Sequence, residues 1–195
     1  SGCRCTTNCS AAAMSPPLCT AHYNHGRCPV AFVFSTPGAR ELAAGMPVAG
    51  VTGENLEFAL EDLHALDPQR FPSASRYDYR ITNAHTEVLA ASLGHAASEA
   101  TPAQILAPGN VARVRDELAD CDVVVLCGMR AQLLANALRR PGRALGCASH
   151  TGNRALVAKY HGPHFSAGAD GRARRRLRAQ QWARDMLASL APRAP

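Results

Sequence analysis

Apolar and polar positions along the chain recur in two periods, and the points where the period changes mark the elements. Residues 29–34 (PVAFVF) form an unbroken apolar run that stops at Ser35, Thr36, Pro37 and Gly38. A short apolar run bounded by turn residues predicts a buried strand opening into a tight loop. Over 53–66, Leu56, Ala59, Leu60 and Leu63 recur at helical spacing, with Glu54, Glu57, Glu61 and Asp62 elsewhere and Thr52 placed as N-cap. Tyr77, Tyr79 and Ile81 alternate with polar residues, as in a second strand. Residues 122–126 (DVVVL) predict a third strand. Cys127 and Gly128 follow it, and then a helix with Ala131, Leu134, Ala137 and Leu138 on one face. A last strand over 143–149 leads to His150. The final helix, 171–190, carries an apolar stripe of Ala179, Trp182, Ala183, Met186, Leu187 and Leu190, which reads as a packing face.

Strands that alternate with helices and read as continuous apolar runs imply an α/β fold, a parallel sheet covered on both faces. Ligands of such sheets bind beyond the carboxyl ends of the strands. The loops to inspect are therefore 35–38, 83–85, 128 onward and 150–154.

Length and composition narrow the class. A chain of 195 residues, 47% hydrophobic and 18% charged, fits one globular domain. No apolar run approaches the roughly 18 residues of a membrane span, so no membrane partner is expected, and the cytoplasm is the default compartment. A monomer is the expected state. The net charge of +6 favours a polyanionic partner. Arg172, Arg174, Arg175, Arg176 and Arg178 lie close together in sequence, either as a solvated helix face or as a phosphate contact.

Five of the eight cysteines fall within residues 1–28, a Cys/His-rich segment set apart from a domain over 29–195. Cys19, His22, His25 and Cys28 follow C-x2-H-x2-H-x2-C. Thiols and imidazoles in one short segment are the donor set of a tetrahedral zinc site; the alternatives are a reduced tail or disulfides. Cys121, Cys127 and Cys147 read as buried thiols of the core strands. His161 and His164 flank Gly-Pro and read as surface loop residues rather than metal ligands. Asp78 receives no role.

Residues 33–60 (VFSTPGARELAAGMPVAGVTGENLEFAL) resemble the first motif block of the iron–sulfur type of uracil-DNA glycosylase, with Pro37, Gly38, Glu41, Gly45, Pro47, Gly50, Gly53 and Leu56 in register. Tyr79 to Asn83 resembles that family's Tyr-x-Thr-Asn strand, DVVVLCG its third strand, and His150 stands where its second motif supplies a His. The resemblance covers roughly residues 28–190. It implies a three-layer αβα sandwich around a mainly parallel four-stranded sheet, and DNA as partner. It also implies cleavage of the N-glycosidic bond of uracil or another damaged base, with no cofactor required. Asn83 would read the base edge, because a carboxamide both accepts and donates. His150 would stabilise the anion of the departing base. Gly38, Gly50 and Gly53 would bring backbone N–H groups close to base and phosphates, and Arg154 and the Arg172–Arg178 cluster would contact DNA.

The chain departs from the pattern at several positions. Ser35 and Thr36 stand where a polar or acidic water-activating group is expected, and hydroxyls are poor general bases; Glu41 is the nearby acid. Val48 replaces the Phe that stacks on the base, a contact worth roughly 1–3 kcal/mol. His-Thr-Gly-Asn-Arg replaces His-Pro-Ser at 150–154. His85, Thr86 and Glu87 occupy the region of a cluster Cys, so no iron–sulfur cluster of the family type is expected. Two other functions compete with a glycosylase: a non-catalytic nucleic-acid-binding protein that retains the fold, and a protein binding a free nucleotide or nucleoside.

Overall fold

The computed structural model describes residues 19–166 and 170–190. It is an α/β structure built on one mixed, six-stranded sheet. The strands are β1 (Cys19–Thr20), β2 (Tyr23–Asn24), β3 (Cys28–Phe34), β4 (Tyr79–Asn83), β5 (Val123–Cys127) and β6 (Ala144–Ala148), in the order β1-β2-β4-β3-β5-β6. Strands β4, β3, β5 and β6 pair in parallel, whereas β1 and β2 pair antiparallel to each other and β2 to β4. The helices are α1 (Ala39–Ala44), α2 (Val51–Leu66), α3 (Pro102–Ile105), α4 (Pro108–Glu117), α5 (Met129–Gln132), α6 (Ala135–Leu138), α7 (Asn153–Lys159), α8 (Pro163–Ser166) and α9 (Gly171–Ser189).

Alternation along the buried strands divides the core between two faces. Val30, Phe32 and Phe34 of β3, with Tyr79, Ile81, Val123 and Val125, pack against Leu56, Leu60 and Leu63 of α2 and Trp182, Ala183 and Met186 of α9. Ala31, Val33, Val124 and Leu126 point the other way, toward Val114, Leu118, Leu134 and Leu138. The stripe of α9 is therefore a packing face, as its spacing predicts. Asp170 caps this helix, its carboxylate accepting from the Ala173 amide at 2.8 Å.

Three expectations need correction. Four strands were expected and six are present, because residues 19–24 fold back as short strands on the edge of β4. A two-residue strand carries no periodicity for the sequence to reveal. Thr52 is not the N-cap of α2: that helix starts at Val51, capped by Gly50. Tyr77 lies in a 3-10 turn ahead of β4, where its hydroxyl donates to the Pro47 carbonyl at 3.1 Å.

Candidate functional site

The carboxyl ends of β3, β5 and β6 meet around His150. Residues distant in sequence fix the backbone on either side of it and pack against its ring. The indole N–H of Trp182 donates to the Ser149 carbonyl at 2.7 Å, so α9 fixes the residue before it. Asn55 of α2 donates through Nδ2 to the Thr151 carbonyl at 2.8 Å, and Thr151 Oγ1 donates to the Thr52 carbonyl at 3.1 Å, fixing the residue after it. The Phe34 ring meets the imidazole edge-on, centroids 5.3 Å apart. Gly128, with φ of 96°, closes on it so tightly that a Cβ there would lie 3.3 Å from the His150 Cβ.

The same contacts set the chemistry of the ring. The Gly152 amide donates to His150 Nδ1 at 2.9 Å. Nδ1 is thus the acceptor, and in the neutral ring the proton resides on Nε2. Burial lowers the His150 pKa, partly offset by the Glu99 carboxylate, so the neutral form predominates at pH 7. The outcome is a rigid, uncharged N–H donor at the end of the parallel strands. A Cβ on Gly152 would stand 2.9 Å from Nδ1, so glycine is what permits this hydrogen bond.

His150 lines a cavity of about 1010 Å³ with Ser35, Gly128, Gln132, Cys147 and Arg154. Met129, Arg130 and Lys159 also reach its wall. Arg130 pairs with Glu99 at 3.2 Å and Lys159 with Asp185 at 3.2 Å, whereas Arg154 is exposed. Cys147, expected as a buried thiol, is exposed here because β6 is the edge strand and Cys147 faces away from α9. Cys121 and Cys127 are buried, as expected, and burial pushes the Cys121 thiol up to about 11.

Asn83 ends β4 directly beside Phe34, its partner in the parallel register, and is 4% exposed. Its main chain is pinned: the amide donates to the His22 carbonyl at 3.1 Å, and the carbonyl accepts from Arg113 Nη2 at 2.9 Å. Its carboxamide Oδ1 is buried without a hydrogen-bond partner. An acceptor of that kind costs free energy unless a water or a ligand satisfies it. Asn83 is not on the wall of the large cavity, and neither are Thr36, Gly38, Glu41 or Val48.

The remaining candidates divide plainly. Glu41 Oε2 accepts from the Gly38 amide at 3.0 Å, so this acid caps α1 and Gly38 serves the cap. Thr36 Oγ1 donates to the Ser98 carbonyl at 3.3 Å. Of the three groups considered for orienting water, Ser35 alone lines the cavity. Val48 is 4% exposed within the α2-side core and has a positive φ of 46°, unusual for a β-branched residue. Gly53 is buried against it: a Cβ would sit 2.0 Å from the Val48 carbonyl oxygen. Gly53 thus lies packed inside the protein, in the first turn of α2, instead of at the surface where a phosphate would reach it. Gly50, with φ of 77°, lies beside the Arg40 side chain.

The arginines of α9 lie against α2. Arg178 is 9% exposed and donates to the Tyr160 carbonyl at 2.9 Å, so it is part of the core boundary rather than a phosphate contact. Arg175 pairs with Glu54 at 2.9 Å and Arg176 with Glu61, while Arg172 and Arg176 both lie over the Phe58 ring. Arg174 also interacts within the protein. Arg172, Arg175 and Arg176 are thus engaged with the neighbouring helix, and Arg172 and Arg176 remain exposed.

Nor do the four proposed zinc ligands converge. Cys19 Sγ points to the Gly45 carbonyl, His22 to Thr20 and Glu117, and His25 to Tyr23 and Arg80, while Cys28 is buried at the start of β3. Among the described residues no group of three or more His, Cys, Asp or Glu is arranged to hold a metal. Cys3, Cys5 and Cys9 lie outside the described residues. His161 and His164 are exposed, and Asp78 pairs with Arg27 at 3.1 Å. Among the described residues no helix is long and apolar enough to cross a membrane.

Sequence reasoning marked the loops that hold Gly128 and Gly152, but it did not single out Phe34, Asn55 or Trp182 as parts of the site. Only the HTGNR string, with a glycine two residues after the His, carried a local signal. Compared with known proteins, the chain matches no protein-family model and no curated protein.

Proposed function

We propose that the protein is a uracil-DNA glycosylase-like enzyme that hydrolyses the N-glycosidic bond of uracil or another damaged base in DNA. One observation carries this reading: His150 is a fixed, neutral imidazole with its proton on Nε2. A preorganised N–H donor at a site of developing negative charge is among the strongest catalytic devices available to a protein. As the bond between C1′ and the base nitrogen breaks, its electron pair leaves with the base. The Nε2–H would stabilise the resulting oxyanion. Water would add to C1′, and its released proton would neutralise the base.

The unsatisfied Oδ1 of Asn83 supports the same reading, since an imide N–H of a base is the donor it lacks. Ser35 would orient the water, and Arg154 would meet a backbone phosphate. In this view the fold is a three-layer αβα sandwich whose central four strands run β4-β3-β5-β6. The chemistry requires no metal from the N-terminal segment.

The test is base release from oligonucleotides bearing uracil, hypoxanthine or xanthine, with His150→Ala and Asn83→Ala alongside. Release of one base, falling sharply in both variants, is the expected result. No release of any base by a protein that still binds DNA would favour a second reading, a nucleic-acid-binding protein. The diversion of Glu41 and Thr36 to structural hydrogen bonds favours that alternative.

A further inference from the structure

We infer that Glu99 is the general base that takes a proton from the attacking water, supplied by the loop ahead of α3 rather than by the loop after β3. This role rests on the glycosylase reading and fills the acid–base position which that reading leaves open.

Among the described residues that line the cavity of His150 and Ser35, Glu99 is the only carboxylate. The other groups on that wall are poor proton acceptors. The Ser35 hydroxyl orients water but is a weak base at pH 7. Arg130, Arg154 and Lys159, as cations, hold no lone pair. His150 is excluded by its own hydrogen bonding, since Gly152 occupies Nδ1 and Nε2 carries the proton. Glu99 is near enough to the imidazole for its charge to raise the His150 pKa against burial.

The position of Glu99 is fixed on both sides. The Ser98 carbonyl accepts from Thr36 Oγ1 at 3.3 Å, which ties the loop to the end of β3. Ala100 is completely buried in the core beside α3, and Thr101 caps that helix, its Oγ1 accepting from the Gln104 amide at 3.3 Å. Thr36 thus holds the segment that carries the acid. Arg130 Nε donates to Glu99 Oε2 at 3.2 Å, which orients the carboxylate and leaves Oε1 for water. As the bond between C1′ and the base nitrogen breaks, its electron pair leaves with the base under the Nε2–H of His150. The water oxygen bonds to C1′, and its proton passes to Glu99. Glu99 then gives that proton to the base anion and is regenerated as a carboxylate. Its negative charge also favours the cationic sugar formed between bond cleavage and water attack.

The experiment compares single-turnover base release at saturating protein, and DNA affinity, for the wild type, Glu99→Gln and Arg130→Gln. Glu99→Gln keeps the side-chain shape and removes its capacity to take a proton. It should lower the release rate by about a hundredfold or more, with DNA affinity held or raised because a negative charge has left the cavity. Its melting temperature should match the wild type, since an exposed ion pair contributes little stability. Arg130→Gln breaks the same ion pair but leaves the carboxylate, so its release rate should exceed that of Glu99→Gln by at least about tenfold. Wild-type release by Glu99→Gln would overturn the assignment. So would an equal fall in both variants, which would make the ion pair a structural latch. Where the wild type releases a base, these variants judge Glu99 alone. Where it releases none, the glycosylase reading fails and the general base falls with it.

Discussion

Replacing Asn83 with leucine should make the protein more stable and less active at once. The Asn83 Oδ1 is buried without a partner among the protein's own groups, in a residue 4% exposed. An unmet buried acceptor costs about 1–3 kcal/mol, and replacing it with an apolar group of similar shape removes that penalty. Leucine keeps the branching at Cγ, and the Asn83 backbone bonds to His22 and Arg113 do not involve the side chain. For a domain of this size each kcal/mol moves the melting temperature by about 2–4 °C, so Asn83→Leu should melt at least that much higher. Asn83→Ala removes the same acceptor without added bulk and guards against overpacking by the leucine methyls. Loss of base recognition should lower kcat/KM for base release by about ten- to hundredfold, the equivalent of roughly 1.5–3 kcal/mol. Paired urea unfolding and base-release assays decide the matter. A leucine variant destabilised by more than about 1 kcal/mol with base release intact would show that the carboxamide is structural, and the reasoning from the orphan oxygen would be wrong.

Further predictions address the frame of the site. Gly53→Ala should destabilise by about 3 kcal/mol in urea unfolding, because its Cβ would strike the Val48 carbonyl at 2.0 Å; an unchanged midpoint would mean that the Val48 turn can shift freely. The lowered pKa of His150 carries a definite sign: below about pH 6.5 the unfolded chain takes up a proton that the native imidazole resists, so stability falls as the pH drops toward the native value. His150→Gln should abolish that part of the pH dependence, seen by comparing urea midpoints at neutral and acidic pH. Arg178→Met should lose about 1–3 kcal/mol of stability, through its bond to the Tyr160 carbonyl, with DNA affinity at fixed salt unmoved. Arg154→Gln should do the reverse, reducing the slope of log affinity against log salt by about 1 in a titration while leaving the melting temperature in place.

The elements were readable because their signals are local. The apolar run of β3, the helical spacing of α2 and the stripe of α9 each depend on neighbours within one element, and each appears where the pattern puts it. Three of the four loops marked beyond the strand ends, at Ser35, from Gly128 and at His150 to Arg154, line the cavity, whereas 83–85 does not. His150, Ser35 and Arg154 do share one cavity. The basic run of α9 was legible as charge alone, whereas the pairing of Arg175 with Glu54 and Arg176 with Glu61 depends on a helix more than 100 residues away in sequence. The Cys19–Cys28 spacing likewise does not record that Cys19, His22 and His25 face separate groups while Cys28 is buried at the start of β3.

By itself, then, the sequence determined the α/β alternation, the buried strands and the loops at their carboxyl ends. Only the tertiary structure decided which side chains are free to act in them. The tautomer of His150 depends on a local glycine, but its position depends on Trp182, Asn55, Phe34 and Gly128, all distant along the chain. Glu41 and Thr36 are spent on backbone groups, and Asn83 is left with an acceptor unfilled. Periodicity records which face of an element is buried. It does not record what that face meets, and hydrogen-bond partners are settled only when distant segments pack.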